Sequence, residues 1–147
     1  MAHWLLKTEP DCYNWDQLVR DKKARWDGVA NATALKNIRS MKQGDTAFVY
    51  HTGDERAIIG IAQIISDPYP DPKAEDDRIA VVDLKPLKKL DNPVTLDAIK
   101  SDPTFAGWEL VRISRLGVMP VPAAMWKRIE KLSKGFSNEH RSAAAAR

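Results

Sequence analysis

The sequence predicts an α+β domain built on about five or six strands, which form a small, curved, mixed sheet or barrel with helices on its flanks. The predicted elements follow the order strand, helix, helix, hairpin, strand, short helix, strand, helix, which matches neither a regular βαβ alternation nor an all-strand sandwich. The 147 residues suit one domain that can bury roughly two thirds of its surface. We expect this domain over residues 1–135 and a disordered tail over 136–147, where the sequence is polar and then alanine-rich.

The first elements follow from apolar runs and from the residues that cap or interrupt them. Residues 4–8 predict a strand, which ends before Pro10 because proline cannot donate a hydrogen bond to a sheet. Asn14 or Asp16 can cap the short helix that follows. The Asp-Gly pair within residues 26–31 predicts a loop.

A second helix and a hairpin are predicted next. The helix begins at Asn31 or Thr33, and the hairpin joins strands over residues 46–51 and 57–65 across a polar turn. Gly60 inside the second strand indicates a bend or a close approach of another group to the backbone. The apolar residues at helical spacing, which predict the buried face of the helix, are Ala34, Leu35, Ile38 and Met41.

The second half of the chain begins with an acidic, proline-rich stretch that predicts a surface loop. Residues 79–84 predict a strand that Pro86 ends, and residues 95–99 predict a helix of one or two turns. The alternating residues 109–116 predict another strand. Pro122 is suited to the first turn of a last helix.

Charge and hydropathy place few limits on the partners of the protein. The net charge is +3, which is too small to favour or exclude nucleic acid. Residues 66–110 hold 6 Lys and Arg against 10 Asp and Glu, whereas residues 111–147 hold 8 against 2. The basic end can form a face that attracts phosphates, or it can be a solvated tail and surface helix. No apolar run approaches the roughly 20 residues of a membrane span, and no secretory signal is visible, so we expect a cytoplasmic protein with no membrane partner.

Residues that could support catalysis are sparse and scattered. A single cysteine, Cys12, excludes an internal disulfide and a cysteine-rich zinc site. Cys12 could pair with a histidine in space, although a lone cysteine near a turn is more often inert. The histidines His3, His51 and His140 are widely separated, and no phosphate-binding loop or nucleophile elbow is present. The sequence therefore predicts a protein that is not an enzyme and that uses no cofactor and no metal.

One loop carries residue types that suit recognition of a flat ligand. Trp26, placed before a glycine-containing loop, can wall a pocket or pack into the core. Gly28 lets a planar ligand approach the backbone, and Asn31 can donate and accept at a base edge or serve only as a helix cap. Lys7 and Glu9, two residues apart at the end of the first strand, point the same way. The other tryptophans, which are expected to be structural rather than ligand-binding, are Trp4, Trp15, Trp108 and Trp126.

Four motifs follow one another along the chain: Trp4–Pro10, Trp26–Asn31, Phe48–His51 and Leu110–Val118. Together they resemble the motifs of the EVE domain family, within the PUA-like superfamily, and the resemblance extends over residues 2–133. It implies a PUA-like β-barrel with peripheral helices. It also implies a pocket, similar to that of YTH domains, that accepts a modified base flipped out of DNA or RNA.

The resemblance also implies roles for individual residues. Trp26 would stack on the base, and Ser114 and Arg115 would lie on a strand that faces the pocket. The family often has Arg at the position of Ala30, so contacts to the nucleic-acid backbone are expected from other cations, or binding is weaker. The residues expected to make these backbone contacts are Lys36, Arg39 and Arg112. The residues implied to bind the base are Lys7, Glu9, Trp26, Gly28, Val29, Asn31, Tyr50, His51, Ser114 and Arg115.

The expected function is a monomeric, non-catalytic module that captures a modified base, for example a methylated one, of DNA or RNA in an aromatic pocket. Stacking on an aromatic ring contributes roughly 1–3 kcal/mol, whereas extruding a base from a duplex costs a few kcal/mol. We therefore expect modest affinity and a preference for single-stranded, mismatched or RNA substrates, or free nucleosides. The alternatives are a small-ligand or protein-partner module that uses the same pocket, and an enzyme acting on nucleic acid or its accessory subunit.

Overall fold

A computed structural model describes residues 2–135, and the tail predicted over 136–147 lies outside the described residues. The strands are β1 (His3–Thr8), β2 (Ala24–Trp26), β3 (Thr46–His51), β4 (Ala57–Ile64), β5 (Tyr69–Pro70), β6 (Ala80–Thr95) and β7 (Val118–Pro120). The helices are α1 (Trp15–Asp21), α2 (Ala32–Arg39), α3 (Leu96–Lys100), α4 (Glu109–Arg112) and α5 (Ala123–Ser133), with a 3-10 turn at Pro103–Phe105. Helix α5 has 11 residues, and no helix in this part of the chain is long and apolar enough to cross a membrane.

Six strands form one continuous path in the order β2-β6-β4-β3-β1-β7, and the short β5 pairs with β6 beside it. Strands β1 and β3 run parallel, and the other neighbours are antiparallel. The sheet curls into a half-barrel, which confirms the predicted α+β fold with a curved mixed sheet. The two ends of the path, β2 and β7, do not pair with each other, and we call the gap between them the seam. Helix α2 packs against both β6 and β7 and so bridges part of the seam.

Aromatic side chains join the last helix to the sheet. Trp126 of α5 stacks on Phe48 of β3, with ring centroids 3.7 Å apart, and on His3 of β1 at 4.3 Å. Because stacked aromatic rings bury large apolar areas, these contacts fix α5 against the two parallel strands. The predicted structural role of Trp126 is therefore confirmed.

Capping residues begin the helices where the sequence predicts. Asn14 accepts from the backbone N–H of Gln17 at 2.9 Å, and the Gln17 side chain accepts from the backbone N–H of Asn14 at 2.8 Å. This reciprocal pair is a capping box. Asn31 caps α2, and Thr95 caps α3. The predicted hairpin is also confirmed, because β3 and β4 pair antiparallel.

The strand predicted to end at Pro86 instead continues as β6 to Thr95. Pro86 lies opposite Ala62, at a point where the register between β4 and β6 shifts. Such an irregularity tolerates a residue that lacks a backbone N–H. Proline therefore does not end this strand, because the ladder is already interrupted there.

The strand predicted over residues 109–116 is wrong, since this segment forms helix α4 and a following turn. Leu110 and Leu116 are buried while Ile113 between them is exposed, so burial alternates as in a strand although Leu110 lies in a short helix and Leu116 in the turn after it. The strand beside β1 at this edge of the sheet is β7, which follows the turn. Strand β2 was not predicted, because three residues are too few to show an alternating pattern.

Gly60 of β4 lies against the ring of Trp15. A methyl group at Gly60 would come within 2.7 Å of the ring carbons, and Trp15 is itself only 3% exposed. A Gly60→Ala substitution is expected to lower the free energy of unfolding by about 1–3 kcal/mol, because ring and strand must shift. Urea unfolding measures this change. Gly117→Ala is the matched control, since a methyl group there meets no atom within 4 Å, and equal losses in both variants would contradict the close packing at Gly60.

Candidate functional site

An open cleft of about 950 Å³ lies at the seam of the half-barrel. Its walls come from the end of β1, from β2, from the loop between β2 and α2, and from the turn before β7. This volume is near the upper end of the range for small-molecule sites, so the cleft has room for an extended ligand. The lining residues are Lys7, Thr8, Glu9, Cys12, Tyr13, Asp21, Lys23, Ala24, Arg25, Trp26, Asp27, Gly28, Val29, Ala30, Asn31, Ala34, Arg115, Gly117 and Val118.

The cleft brings together most of the residues that the sequence assigned to base binding. Those that line it are Lys7, Glu9, Trp26, Gly28, Val29, Asn31 and Arg115. Those that do not line it are Tyr50, His51 and Ser114. The predicted site thus corresponds to a real cavity, and the binding roles of its residues stay predictions.

Trp26 ends β2 and forms part of one wall of the cleft. It lies opposite Val82 of β6 and is 8% exposed, almost the same as the 7% of Trp126. Trp26 therefore belongs to the core as well as to the wall of the cleft, and its role toward a ligand stays a prediction. Since β2 extends the sheet, its last side chain is largely covered, and only a small part of the ring is open. Among the five tryptophans, Trp26 is nevertheless the one that lines this cleft.

The loop after Trp26 exposes backbone to the cleft. Gly28 has a φ of +77°, a left-handed conformation that favours glycine, and a methyl group there would meet no atom within 4 Å. A flat ligand can therefore approach the chain closely at this point. Asn31 accepts from the backbone N–H of Ala34 at 3.0 Å. Its side-chain oxygen thus caps α2, which leaves the amide nitrogen as the group that can donate to a ligand.

Lys7 ties β1 to the turn before β7. Its backbone N–H donates to the Gly117 carbonyl, and its ammonium donates to the Ser114 carbonyl, both at 2.9 Å. The ammonium also lies 5.7 Å from the centre of the Tyr50 ring, within cation–π range. Burial lowers the pKa of Lys7. Ser114 and Tyr50 therefore act on the cleft through Lys7 rather than by lining it, and Tyr50 itself is buried.

His51 does not reach the cleft. Its Nε2 accepts from the backbone N–H of Trp15 at 3.1 Å, and its Nδ1 lies 2.7 Å from a Glu55 carboxylate oxygen. These two contacts hold the ring at the first turn of α1. His51 lines instead a second, smaller cleft of about 260 Å³, so the structure does not place it beside a base bound at the seam.

The cations expected to contact the nucleic-acid backbone also lie outside the cleft lining. Lys36 and Arg39 are exposed on α2, and Arg39 donates to the Arg78 carbonyl at 2.9 Å. Arg112 ends α4 and donates to the Gly107 carbonyl at 3.2 Å. Because α2 enters the cleft only with its first turn, Lys36 and Arg39 lie beyond it. Arg112 does not line the cleft, because the segment that carries it forms helix α4 and not the predicted strand.

Tyr13 and Cys12 line the cleft and were not predicted. The Tyr13 hydroxyl donates to the Asp21 carboxylate at 2.9 Å. Burial, together with this hydrogen bond, raises the pKa of Tyr13 to about 12. Residues 2–135 contain no group of three or more His, Cys, Asp or Glu side chains that could hold a metal ion.

A basic segment before Trp26 was also missed. Arg25 donates to the Tyr69 hydroxyl at 3.1 Å, and this hydroxyl donates to Asp83 at 2.6 Å. The hydrogen bond to Tyr69 raises the pKa of Arg25. Lys23 lines the cleft two residues earlier. The basic run Lys22–Arg25, directly before the tryptophan, is the sequence signal that points to these residues.

A curled, mixed half-barrel with flanking helices and a cleft at its seam is the fold that EVE and PUA-like domains share. The model of the family described as EVE domain matches residues 2–132. The chain belongs to the EVE domain family.

Solved structures and curated relatives agree with this assignment. The NMR structure of a protein from Rhodopseudomonas palustris has a TM-score of 0.87 and 40% identity, covering 96% of this chain and 99% of that chain. Thymocyte nuclear protein 1 of Homo sapiens is 35% identical over an alignment of 104 residues, and the alignment covers 63% of this chain and 45% of that protein. The crystal structure of human THYN1 protein in complex with 5-methylcytosine containing DNA has a TM-score of 0.84 and 23% identity, covering 97% of this chain and 100% of that chain. Thymocyte nuclear protein 1 of Gallus gallus is another relative. The chain spans 34% of the length of the Gallus gallus protein and 45% of the length of the human one.

Proposed function

We propose that this protein is a monomeric, non-catalytic module that captures a modified base of DNA or RNA, such as 5-methylcytosine, in the cleft at the seam. The observation that carries the proposal is one cleft that joins the open part of Trp26 to the exposed backbone at Gly28. A base lying over this backbone can contact the indole, and the Asn31 amide can donate to the base edge. Apolar side chains that can contact a methyl group on the base are Ala24, Val29, Ala34 and Val118.

A protein of the same fold supports this choice of ligand. Human THYN1 protein is in complex with 5-methylcytosine containing DNA in its crystal structure, which matches 97% of this chain. We extend to this chain the class of ligand, a nucleic acid with a methylated base. The family membership of residues 2–132 supports the same extension.

The energetics favour strands that are not fully paired. Base stacking on an aromatic ring contributes about 1–3 kcal/mol, which extrusion of a base from a duplex offsets. Trp26 is only 8% exposed, so its contribution falls in the lower part of that range. We therefore expect single-stranded or mismatched nucleic acid to bind more tightly than a paired duplex.

The polar groups of the cleft suit binding better than catalysis. The Lys7 ammonium and the Tyr13 hydroxyl each donate to an acceptor within the protein, a carbonyl and a carboxylate respectively. A pKa of about 12 keeps the Tyr13 phenol protonated at neutral pH. Both groups therefore position the walls of the cleft, and neither is poised to act as a general base at neutral pH.

Cys12 provides a test of where nucleic acid binds. It is the only cysteine in the sequence, it is exposed, and it lines the cleft. A saturating single-stranded DNA with one 5-methylcytosine is expected to slow the alkylation of Cys12 several-fold, because the bound nucleotide covers the thiol. An unchanged alkylation rate at saturation would contradict binding in the cleft.

The matched control moves the thiol elsewhere. A Cys12→Ser/Ala124→Cys variant carries its cysteine at an exposed position on α5 that does not line the cleft. Its alkylation rate should be the same with and without the oligonucleotide. Equal slowing at both positions would contradict a specific site, and protection by a co-purified metabolite but not by nucleic acid would favour the small-ligand alternative.

Substitution of Asn31 separates its two roles. Asn31→Ser keeps an oxygen that can cap α2 but removes the amide donor, so we expect weaker oligonucleotide binding with little change in stability. Asn31→Ala removes both and is expected to lower the free energy of unfolding by about 1 kcal/mol as well. Urea unfolding and fluorescence anisotropy with a labelled strand measure the two effects. Wild-type affinity of the Asn31→Ser variant for the oligonucleotide would mean that Asn31 serves only as the cap of α2.

A further inference from the structure

Two cations line the cleft from opposite ends of the sheet. Lys23 directly precedes β2, and Arg115 lies in the turn before β7, so each stands beside one border of the seam. Both side chains are exposed. Within residues 2–135, neither has a hydrogen-bond or ion-pair partner for its charged group. Unpaired cations on both borders of a cleft attract an anionic chain that crosses it.

The backbone that carries Arg115 is anchored on both sides. Lys7 donates from its ammonium to the Ser114 carbonyl and from its backbone N–H to the Gly117 carbonyl, both at 2.9 Å. The residues that flank Arg115 are therefore tied to β1. A guanidinium on anchored backbone loses less conformational freedom when it binds an anion than one on a mobile loop.

Lys23 stands on anchored backbone at the other border. The backbone N–H of Lys22 donates to the Leu18 carbonyl at 2.9 Å at the end of α1, and β2 begins directly after Lys23. The neighbouring Arg25 differs, because its guanidinium donates to the Tyr69 hydroxyl. Of the two cations that line the cleft on this border, Lys23 is therefore the one whose charged group has no partner among the described residues.

Three carboxylates also line the cleft, and two of them face partners in the protein. Asp21 accepts from the Tyr13 hydroxyl at 2.9 Å, and Glu9 accepts from the Thr52 hydroxyl at 3.3 Å. Asp27 stands beside the loop glycine, where the proposed function places the base rather than a phosphate. Among the described residues that line the cleft, Lys23 and Arg115 are the cations without a partner, and they can offset these carboxylates toward a phosphate.

We propose that Lys23 and Arg115 bind the phosphates on either side of the captured base, so that a single strand crosses the seam with its backbone held at both borders. This inference rests on the proposed function. It assigns the phosphate contacts to two residues of the cleft rather than to Lys36 and Arg39, which lie outside the cleft lining. It also gives Arg115 a phosphate contact in place of the contact with the base that the family resemblance implies.

The test measures the affinity of the full chain for a short single-stranded DNA with one central 5-methylcytosine, at several salt concentrations. Each lost phosphate contact should reduce the slope of log affinity against log salt by about 0.7. A Lys23→Gln/Arg115→Gln double variant is thus expected to lose about 1.4 from the slope. The matched Lys36→Gln/Arg39→Gln variant removes the same charge from the surface of α2 and should keep the wild-type slope.

The free nucleoside 5-methyl-2′-deoxycytidine has no phosphates, so the Lys23→Gln/Arg115→Gln variant should bind it as the wild type does. A wild-type salt slope in this variant would overturn the inference, as would an equal loss of slope in the Lys36→Gln/Arg39→Gln variant. Weaker nucleoside binding would also overturn it, because the substitutions would then act on the base site. The double variant could lose the expected slope while the wild-type protein binds methylated and unmethylated strands equally well. This result would support the phosphate contacts and contradict the proposed capture of the base.

Discussion

A Trp26→Leu variant is expected to lose roughly 5- to 30-fold in affinity for a single strand that carries 5-methylcytosine, the equivalent of a stacking interaction of about 1–2 kcal/mol. Leucine retains an apolar side chain in the core but offers no aromatic face to a base. Because Trp26 also belongs to the core cluster, complete truncation has a second effect. Trp26→Ala is expected to lower the free energy of unfolding by about 3–5 kcal/mol, more than the Leu variant.

Trp26→Phe is the matched control for stacking. It retains an aromatic ring at the wall of the cleft, so its affinity should stay within a few-fold of the wild type. Fluorescence anisotropy gives the affinities, and urea unfolding of each variant separates loss of binding from loss of fold. If the Leu and Phe variants bind equally well, Trp26 serves the core alone.

Asp45→Ala is expected to lower the free energy of unfolding by roughly 3–5 kcal/mol. Asp45 is 3% exposed and precedes β3. Its carboxylate accepts from the Trp4 indole N–H at 3.0 Å and from the backbone N–H groups of Lys42 at 2.9 Å and Ala2 at 3.1 Å. Removal of the carboxylate leaves the buried indole N–H without this acceptor. Urea unfolding measures the loss.

Asp45→Asn keeps one acceptor oxygen and should show an intermediate loss of stability. Asp45 does not line the cleft, so the folded fraction of either variant should bind a nucleoside with the wild-type affinity. A loss below about 1 kcal/mol for Asp45→Ala would mean that the carboxylate is not the anchor that the hydrogen bonds indicate.

Local chemistry explains which elements the sequence could predict. Asn14, Asn31 and Thr95 begin helices because each side chain caps a neighbouring backbone N–H. Strand β2 could not be predicted in this way, because it exists through pairing with β6 far along the chain. The position of Pro86 inside a strand could not be predicted for the same reason, since the interruption that tolerates it belongs to the ladder between two strands.

The candidate site also combines residues that local sequence predicts with residues that only long-range pairing brings together. The residues of the loop that contains Gly28 lie together at a cavity as predicted, because they are adjacent in the sequence. The charge and the helical spacing of Lys36 and Arg39 identify a face of α2 but not the end of the helix that enters the cleft. Lys23 and Arg115 come together only because the sheet path ends at β2 and β7, which no local pattern reveals.

The ratio of dissociation constants for two single strands that differ only in one central cytosine or 5-methylcytosine tests the capture of a modified base most directly. Because one methyl group in an apolar pocket changes affinity by about 10- to 200-fold, we predict that the wild-type protein binds the methylated strand tighter by a factor in this range. The ratio should fall in the Trp26→Leu variant and persist in the Lys23→Gln/Arg115→Gln variant. Equal affinity of the wild-type protein for the two strands would contradict the capture of a methylated base in the cleft.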